Sequence, residues 1–232
     1  NAAKMNDAKR IVEEIKSGVD VNSRWGEYRK TALHFTARYD HGESVKVLLK
    51  ARADIDARSN GGSTPLIYAA VEGSNVALKL LIKEGADKEV RNDHGGTALF
   101  FAAQFGKNEA LKILLDAGAD KEGKTNRGVT ALTVAAGIGN NEAVKILLKF
   151  GANIDVKTNY GKSALQYAIC GGKYETSVLL ITHGANVECL EGMTNDCLHD
   201  SKRGSDSPPS QTTSSTSWRG KLSSTTRCTG CL

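Results

Sequence analysis

Apolar and polar positions along this chain follow one long and regular period. A short apolar run is followed by a glycine, a second apolar run with helical spacing, another glycine and a dozen polar, turn-rich residues. The short run reads Thr-Ala-Leu-His-Phe-Thr-Ala at 31–37 and Thr-Ala-Leu-Phe-Phe-Ala-Ala at 97–103. The Thr or Ser that opens each copy recurs every 33 residues, at Thr31, Thr64, Thr97, Thr130 and Ser163. Five copies in register establish an internal repeat.

Each residue that recurs from copy to copy of the repeat predicts a local structure. The Thr or Ser hydroxyl can cap the helix that starts after it, and Pro65 stands at a first helical position, where its missing N–H costs nothing. Alanine pairs such as 69–70 keep this helix thin, so that neighbouring repeats can approach closely. A glycine nine residues after the Thr, such as Gly73, ends the helix in a left-handed turn. A second helix follows and ends at Gly85 or its equivalents, and the polar residues then project as a finger.

These residues resemble the ankyrin-repeat family, whose 33-residue pattern contains the motif T-P-L-H-x-A. The resemblance extends through Gly-Ala-Asp or Gly-Ala-Asn at 85–87, 118–120, 151–153 and 184–186, and covers residues 1–198. It implies an all-α repeat solenoid of stacked helix-turn-helix repeats with β-hairpin finger loops. We expect a partial capping repeat and finger at 1–30, then repeats at 31–63, 64–96, 97–129, 130–162 and 163–195. A degenerate repeat start with a disordered Ser/Thr-rich tail is expected at 196–232, because such a composition cannot bury enough surface to fold.

The first copy departs from the pattern in an informative way. Asp40 and Arg52 stand where the four later copies have Gly. Arg in a left-handed conformation costs ~1 kcal/mol, so residues 31–55 are predicted to form the least stable full repeat. The family's histidine survives only as His34, and Glu14 replaces a Leu or Ile, as an outward-facing capping helix would require.

The charge is concentrated in the tail and excludes some classes of function. Residues 199–232 carry five Lys or Arg and two Asp or Glu, and so hold +3 of the formal net charge of +5. The nearly neutral repeats offer no general field for nucleic acid. The repeated lysines are expected on the solvated outer side of the second helices, at Lys46, Lys79, Lys112 and Lys145.

No apolar run is long enough for a membrane span. The lack of a leader and the odd cysteine count favour an intracellular location, cytoplasmic or nuclear.

No catalytic, cofactor or metal constellation emerges from the sequence. The five histidines occupy different positions of different repeats, so no base has a regularly placed partner. The glycine pairs lack the Lys-Thr or Lys-Ser that phosphate loops require. Cys228 and Cys231 form one C-x-x-C pair, whereas a structural zinc site needs four ligands. The sequence therefore predicts a protein that is not an enzyme and that holds no metal or cofactor.

The resemblance implies that a partner binds in a concave groove, through the positions just before the Thr and the two positions that close the first helix. In this chain those positions hold Tyr, Phe and Arg, the residue types that are enriched at binding hot spots. The alternative is that Tyr39 and Phe105 only cover the neighbouring helix. The predicted partner-binding residues are Glu27, Tyr28, Lys30, Arg38, Tyr39, Val71, Glu72, His94, Gln104, Phe105, Arg127, Ile138, Tyr160 and Lys162.

The sequence thus predicts a non-catalytic interaction module or scaffold that binds a segment of a protein partner, whose identity it does not give. We expect a monomer that binds no nucleic acid and does not insert into membranes. Two alternatives stay open. The chain is the targeting or regulatory part of a larger enzyme or channel, as its start in mid-repeat suggests, or it is an adaptor that recruits other proteins through its tail.

Overall fold

The computed structural model describes residue 3 and residues 7–188. This part of the chain forms eleven α-helices. After α1, short inner helices alternate with longer outer helices, one pair in each repeat. In chain order they are α1 Ala8–Lys16, α2 Ala32–Arg38, α3 Gly42–Lys50, α4 Pro65–Glu72, α5 Asn75–Lys83, α6 Ala98–Gln104, α7 Asn108–Asp116, α8 Ala131–Ile138, α9 Asn141–Lys149, α10 Ala164–Cys170 and α11 Tyr174–Thr182. The even-numbered helices are the inner ones.

The inner helices start and stop where the sequence predicts. The Thr64 hydroxyl accepts a hydrogen bond from the Ile67 amide at 3.3 Å, and Thr130 accepts one from Thr133 at 3.2 Å. Pro65 is the first residue of α4. Gly73 and Gly139 end α4 and α8 with φ of 77° and 82°, in the left-handed region that favours glycine. The capping roles assigned from the sequence are confirmed at Thr64, Thr97, Thr130 and Ser163, whereas the Thr31 hydroxyl lies 2.9 Å from Nδ1 of His34.

Two rows of leucine form the core. One row lies on the inner helices at Leu33, Leu66, Leu99, Leu132 and Leu165, and the other on the outer helices at Leu48, Leu81, Leu114, Leu147 and Leu180. All ten side chains are at most 2% exposed. The alanine pairs of the inner helices are fully buried, and each inner helix packs on the next from α2 to α10. One continuous core therefore runs along the stack, which confirms the all-α solenoid.

The fingers are hairpin turns rather than extended strands. In each later finger one backbone hydrogen bond joins the two residues that flank the turn, as between the Asn92 amide and the Gly96 carbonyl at 3.0 Å, and a second lies inside the turn, as between the Gly95 amide and the Asn92 carbonyl at 2.8 Å. The first finger is different, because Trp25 and Lys30 exchange two backbone hydrogen bonds of 2.8 and 3.0 Å around a four-residue loop. Trp25 and Lys30 thus form an isolated antiparallel β-bridge, the one such bridge among the described residues. The extra residue in this finger accounts for the wider loop.

Hydrogen bonds between neighbouring fingers join them into one row. At the tips, an amide of each finger donates to a carbonyl of the preceding one, at 2.8–3.1 Å. These tip bonds run from Asn60 to Tyr28, Asp93 to Gly61, Asn126 to His94 and Asn159 to Arg127. At the base, carboxylates accept from amides of the next finger, as Glu122 does from Asn153 at 2.8 Å. Because both rows repeat along the stack, the fingers are held in fixed relative positions.

Asp40 and Arg52 adopt the predicted left-handed conformation, with φ of 59° and 61°. The Asp40 carboxylate also accepts a hydrogen bond of 2.8 Å from the amide of Ala77, the third residue of α5. It thereby caps the next outer helix, a role that offsets part of its conformational cost. The low stability of residues 31–55 and the exact repeat boundaries stay predictions. The expected repeat start and tail at 196–232 lie outside the described residues.

Candidate protein-binding groove

The surface predicted to bind a partner lies between the finger tips and the C-terminal ends of the inner helices, and we call it the groove. The structure places all fourteen predicted residues on its two sides. The fingers carry Glu27, Tyr28, Lys30, His94, Arg127, Tyr160 and Lys162. The ends of the inner helices carry Arg38, Tyr39, Val71, Glu72, Gln104, Phe105 and Ile138.

Four of these residues are aromatic side chains that the fold leaves about half exposed. The exposed fractions are 59% for Tyr28, 47% for Tyr39, 51% for Phe105 and 58% for Tyr160. Large apolar groups at such positions leave unburied area that a partner can cover. The aliphatic residues Val71 and Ile138 are more enclosed. Contact area in the groove is therefore supplied mainly by rings.

Lys30 lies among three aromatic rings at the start of the groove. Its Nζ is 4.4 Å from the ring centroid of Tyr68, 5.2 Å from Tyr28 and 5.9 Å from Phe35. Each distance is within the range of a cation–π interaction. The ammonium thus connects the first finger to the inner helices of the first two repeats. Sequence reasoning missed Tyr68, because the repeat pattern does not show which side chains of neighbouring repeats meet.

Arg38 links the first two inner helices. Its Nη2 and Nε both lie 2.9 Å from Oε1 of Glu72. The guanidinium carbon is 5.7 Å from the ring centroid of Tyr39, which in turn stacks on His41 at 5.7 Å. The Glu72 carboxylate is therefore engaged by Arg38, and the Tyr39 ring contacts both Arg38 and His41.

Phe105 is supported by a neighbouring ring. It stacks on Phe101 with centroids 6.4 Å apart and an interplanar angle of 21°, and Phe101 meets Phe100 edge to face at 5.4 Å. One face of Phe105 therefore covers Phe101 of its own helix α6, while half of its surface stays accessible. His94 and Arg127 contribute backbone carbonyls to the row of tip bonds.

Two further residues belong to this end of the molecule. Arg29 lies at the tip of the first finger with φ of 47°, at the position that Gly62 occupies in the next repeat. This equivalence with Gly62 was visible in the sequence and could have identified Arg29 as a left-handed residue at the finger tip.

Trp25, whose placement the extra residue left ambiguous, lines a cavity of about 290 Å³ together with Ile11, Ile15 and Phe35. Trp25 therefore faces the end of the stack, next to the groove.

His34 is the most strongly perturbed titratable group and lies beneath the groove. It is 1% exposed, and burial lowers its pKa to about 4. The Thr31 amide donates to Nδ1 at 3.1 Å, so the proton is on Nε2, which donates to the Ser63 carbonyl at 3.0 Å. A neutral imidazole with both nitrogens engaged is a structural element rather than an available base.

The described residues hold no cluster of three or more His, Cys, Asp or Glu side chains that could bind a metal ion. Within the same range, every helix is too short or too polar to cross a membrane. Cys170 is disulfide-bonded, unlike the reduced cysteines that the odd cysteine count favours. The four other cysteines of the chain lie outside the described residues.

Comparison with known proteins agrees with this architecture. The family model for ankyrin repeats in three copies matches residues 1–92, 51–125 and 99–190. Neurogenic locus notch homolog protein 1 of Homo sapiens is 36% identical over 72 residues, which is 31% of this chain and 3% of that protein. Ankyrin repeat domain-containing protein 40 is 35% identical over 65 residues in Homo sapiens, which is 28% of this chain and 18% of the relative. The matched part of this chain thus spans less than a fifth of either relative.

Proposed function

We propose that this chain, which belongs to the ankyrin-repeat family, is a non-catalytic module that binds a segment of a partner protein in the groove. Ankyrin repeats generally act as protein–protein interaction modules. The observation that carries the proposal is the set of half-exposed rings at Tyr28, Tyr39, Phe105 and Tyr160. Tyrosine and other aromatic side chains supply much of the binding energy at protein interfaces.

The rigid row of fingers supports this function. Because hydrogen bonds fix each finger on the preceding one, the groove exists before a partner arrives. A preformed surface loses little conformational entropy on binding, which leaves more of the contact energy as affinity. The rings come from the first finger at 1–30 and from the repeats at 31–63, 97–129 and 130–162, and packed helices are roughly 10 Å apart. This spacing suits an extended or helical segment that runs along the stack.

The experiment compares two pairs of substitutions on one partner, identified by affinity capture and cross-linking. Phe105→Ala with Tyr160→Ala should weaken binding by ~2 kcal/mol or more, roughly 30-fold in Kd. The melting temperature should change little, because neither ring lies in the core. Calorimetric titration at fixed salt measures the affinity, and thermal unfolding checks the fold of each variant.

The matched control reverses charge on the outer helices, with Lys112→Glu and Lys145→Glu. Both lysines are exposed on outer helices, so binding in the groove should be almost unaffected. If the lysine pair matters and the aromatic pair does not, recognition takes place on the outer side and the proposed site is wrong.

A second candidate function is favoured by how small a part of each relative aligns with this chain. Because the aligned segments make up 3% and 18% of those proteins, we also propose that these repeats serve as the targeting or regulatory region of a larger enzyme, channel or recruitment adaptor. The sequence of full-length transcripts tests this.

We further propose that the protein is a monomer, that it binds neither nucleic acid nor membranes, and that it is intracellular. Sedimentation tests the first point. Thiol titration of the protein from cells tests the last, because a free Cys170 thiol would support an intracellular location in spite of the disulfide in the structure, whereas an oxidised Cys170 would contradict it.

A further inference from the structure

We propose that the first finger and the end of α2 determine specificity in the groove, and that they take an acidic segment of the partner with an aromatic or aliphatic side chain beside its carboxylates. We call this part, formed by Tyr28, Arg29, Lys30, Arg38 and Tyr39, the first-finger surface. The inference rests on the proposed function, and it adds where the partner is recognised and by what chemistry.

Backbone strain is concentrated between residues 29 and 52, in the first finger and the first full repeat. Within the described residues, the non-glycine residues with positive φ are Arg29, Asp40 and Arg52, at 47°, 59° and 61°. Each stands at a position where all four later repeats have a left-handed glycine, such as Gly62, Gly73 and Gly85. A side chain in this conformation costs energy that glycine does not. Strained residues of this kind cluster at functional sites, where another role retains them.

Asp40 and Arg29 differ in what the fold gains from them. Asp40 caps α5 through its 2.8 Å bond from Ala77, which accounts for its presence. The Arg29 side chain is exposed, and its guanidinium forms no ion pair within residues 7–188. The folded chain thus carries the cost of Arg29 without a visible stabilising contact. A contact with a partner supplies the missing role.

The next three tips are too crowded for a side chain at this position, whereas the last one, at Gly161, has open space. A Cβ on Gly95 would lie 2.6 Å from the Asn126 amide nitrogen of the next finger, and one on Gly128 would lie 2.7 Å from that of Asn159. The first finger has a four-residue loop and a lower φ at Arg29, yet it keeps the 2.8 Å bond from Asn60 to Tyr28. The wider loop therefore lets this tip display a charged side chain where the next three tips cannot.

The charges and rings around Arg29 indicate the partner. The cations are Arg29, Lys30 and Arg38, and the nearby carboxylate of Glu72 is already held by Arg38 at 2.9 Å. Glu27 is the other acid of this segment, so positive charge predominates. Tyr28 and Tyr39 flank these cations and are about half exposed. Acidic residues complement such a surface electrostatically, and an adjacent apolar or aromatic side chain can cover the tyrosines.

Selection from a phage-displayed library of random 12-residue peptides on the full chain tests the inference. The peptides that bind in the groove should be enriched in Asp or Glu next to an aromatic or aliphatic residue. Fluorescence polarisation of the selected peptides should show a loss of tenfold or more with Arg29→Gly and with Tyr28→Ala, and the affinity should fall as salt rises.

Arg52→Gly is the matched control, because Arg52 has the same side chain and a similar φ but follows α3, away from the groove. Both glycine variants should raise the melting temperature by about 2–4 °C, since each removes strain. Only Arg29→Gly should also weaken peptide binding. This combination separates a loss of recognition from a loss of folding.

The remaining outcomes distinguish the two proposals. Full peptide affinity in Arg29→Gly, or selected peptides without acidic residues, would overturn the role of the first finger. If peptide binding depends on Phe105 and Tyr160 alone, the role of the first finger is likewise overturned, but the groove remains the binding site. Dependence on Lys112 and Lys145, or on none of these residues, would contradict both proposals.

Discussion

His34 takes part in the capping of the first inner helix, although its chemistry differs from that of an ordinary cap. The Thr31 amide and hydroxyl lie 3.1 and 2.9 Å from Nδ1, so both use the unprotonated nitrogen. In the last described repeat, Gln166 has the equivalent role, because its Oε1 accepts from the Ser163 amide at 2.9 Å. The same contact is thus made by a titratable group at one end of the stack and by a neutral one at the other.

We predict that acid weakens the first repeat through His34. The folded-state pKa of about 4 lies below the ordinary histidine pKa of 6.5, so the unfolded chain binds the proton more tightly. The stabilisation is complete above pH 6.5 and is lost as the pH falls towards 4. Between pH 7.5 and 4.5 the free energy of unfolding should fall by roughly 2–3 kcal/mol from this group. Urea unfolding at the two pH values measures the loss.

His34→Gln is the control, because glutamine can accept from Thr31 without titrating. Subtracting its pH dependence from that of the parent removes the contribution of the carboxylates, which titrate in both proteins. Equal losses in the two proteins between pH 7.5 and 4.5 would show that His34 does not carry a depressed pKa.

The sequence predicted residue conformations well, but it did not predict contacts between repeats. The left-handed turns at Asp40 and Arg52 followed from the glycines at equivalent positions. The bond from Ala77 to Asp40 did not, because it joins residues 37 positions apart and depends on how two repeats are stacked. Tyr68 near Lys30 was missed for the same reason. The groove residues were located by position in the repeat, and that pattern carries no information on which side chains meet.

The finger is the element in which such contacts accumulate. Besides the tip bonds, asparagine side chains of successive fingers donate Nδ2–H to the preceding finger. These bonds run from Asn60 to the Glu27 carbonyl at 2.8 Å, from Asn126 to Asp93 at 2.8 Å and from Asn159 to Asn126 at 2.9 Å. Asp93 interrupts the row, because a carboxylate has no hydrogen to donate. Its Oδ1 lies 3.5 Å from Nη2 of Arg58 instead.

We predict that Asp93→Asn stabilises the protein. The new amide should donate to the Asn60 carbonyl, and a hydrogen bond of this kind contributes ~0.5–1.5 kcal/mol. The ion pair that is lost is long, and both side chains are largely exposed, so it contributes little. The free energy of unfolding in urea measures the net gain.

Repeating Asp93→Asn in an Arg58→Ala background isolates the hydrogen bond, because the ion pair is then absent from both proteins. The gain should be at least as large there. A loss of stability in both backgrounds would show that an amide at position 93 does not extend the row.

The helices of each repeat could be predicted from the sequence, whereas the form of the fingers could not. Helices depend on local signals, and Thr64, Pro65 and Gly73 supply the start and stop of α4 within ten residues. The fingers depend on bonds to residues 31–33 positions away. Trp25 and Lys30 form a bridge only because the first finger has an extra residue, and the sequence showed the insertion without showing its geometry.

At the scale of the whole molecule, the stack is held together by contacts between neighbouring repeats. Leu81, Leu114 and Leu147 are fully buried on successive outer helices, and α7 packs against both α5 and α9. The 33-residue period was enough to predict this arrangement, since each repeat buries its apolar face only on its neighbours. The period does not determine which surface is used for binding, because groove positions need no particular residue to keep the stack intact.

We predict that Leu114→Ala separates the two halves of the stack. Truncating a buried leucine leaves a cavity and costs ~2–5 kcal/mol. Because Leu114 lies in the central repeat, the loss falls on both of its interfaces, and the repeats on either side should begin to unfold independently. Calorimetry should show a broadened or double transition in place of a single one.

Leu180→Ala is the matched control, because Leu180 is equally buried but lies in α11, the last described helix. A cavity there weakens one terminal interface, so the main transition should stay sharp while the last repeat unfolds earlier. If Leu114→Ala unfolds in one sharp transition within a degree or two of the parent, the central leucine does not couple the repeats, and the stability of the stack cannot depend on nearest-neighbour interfaces as proposed.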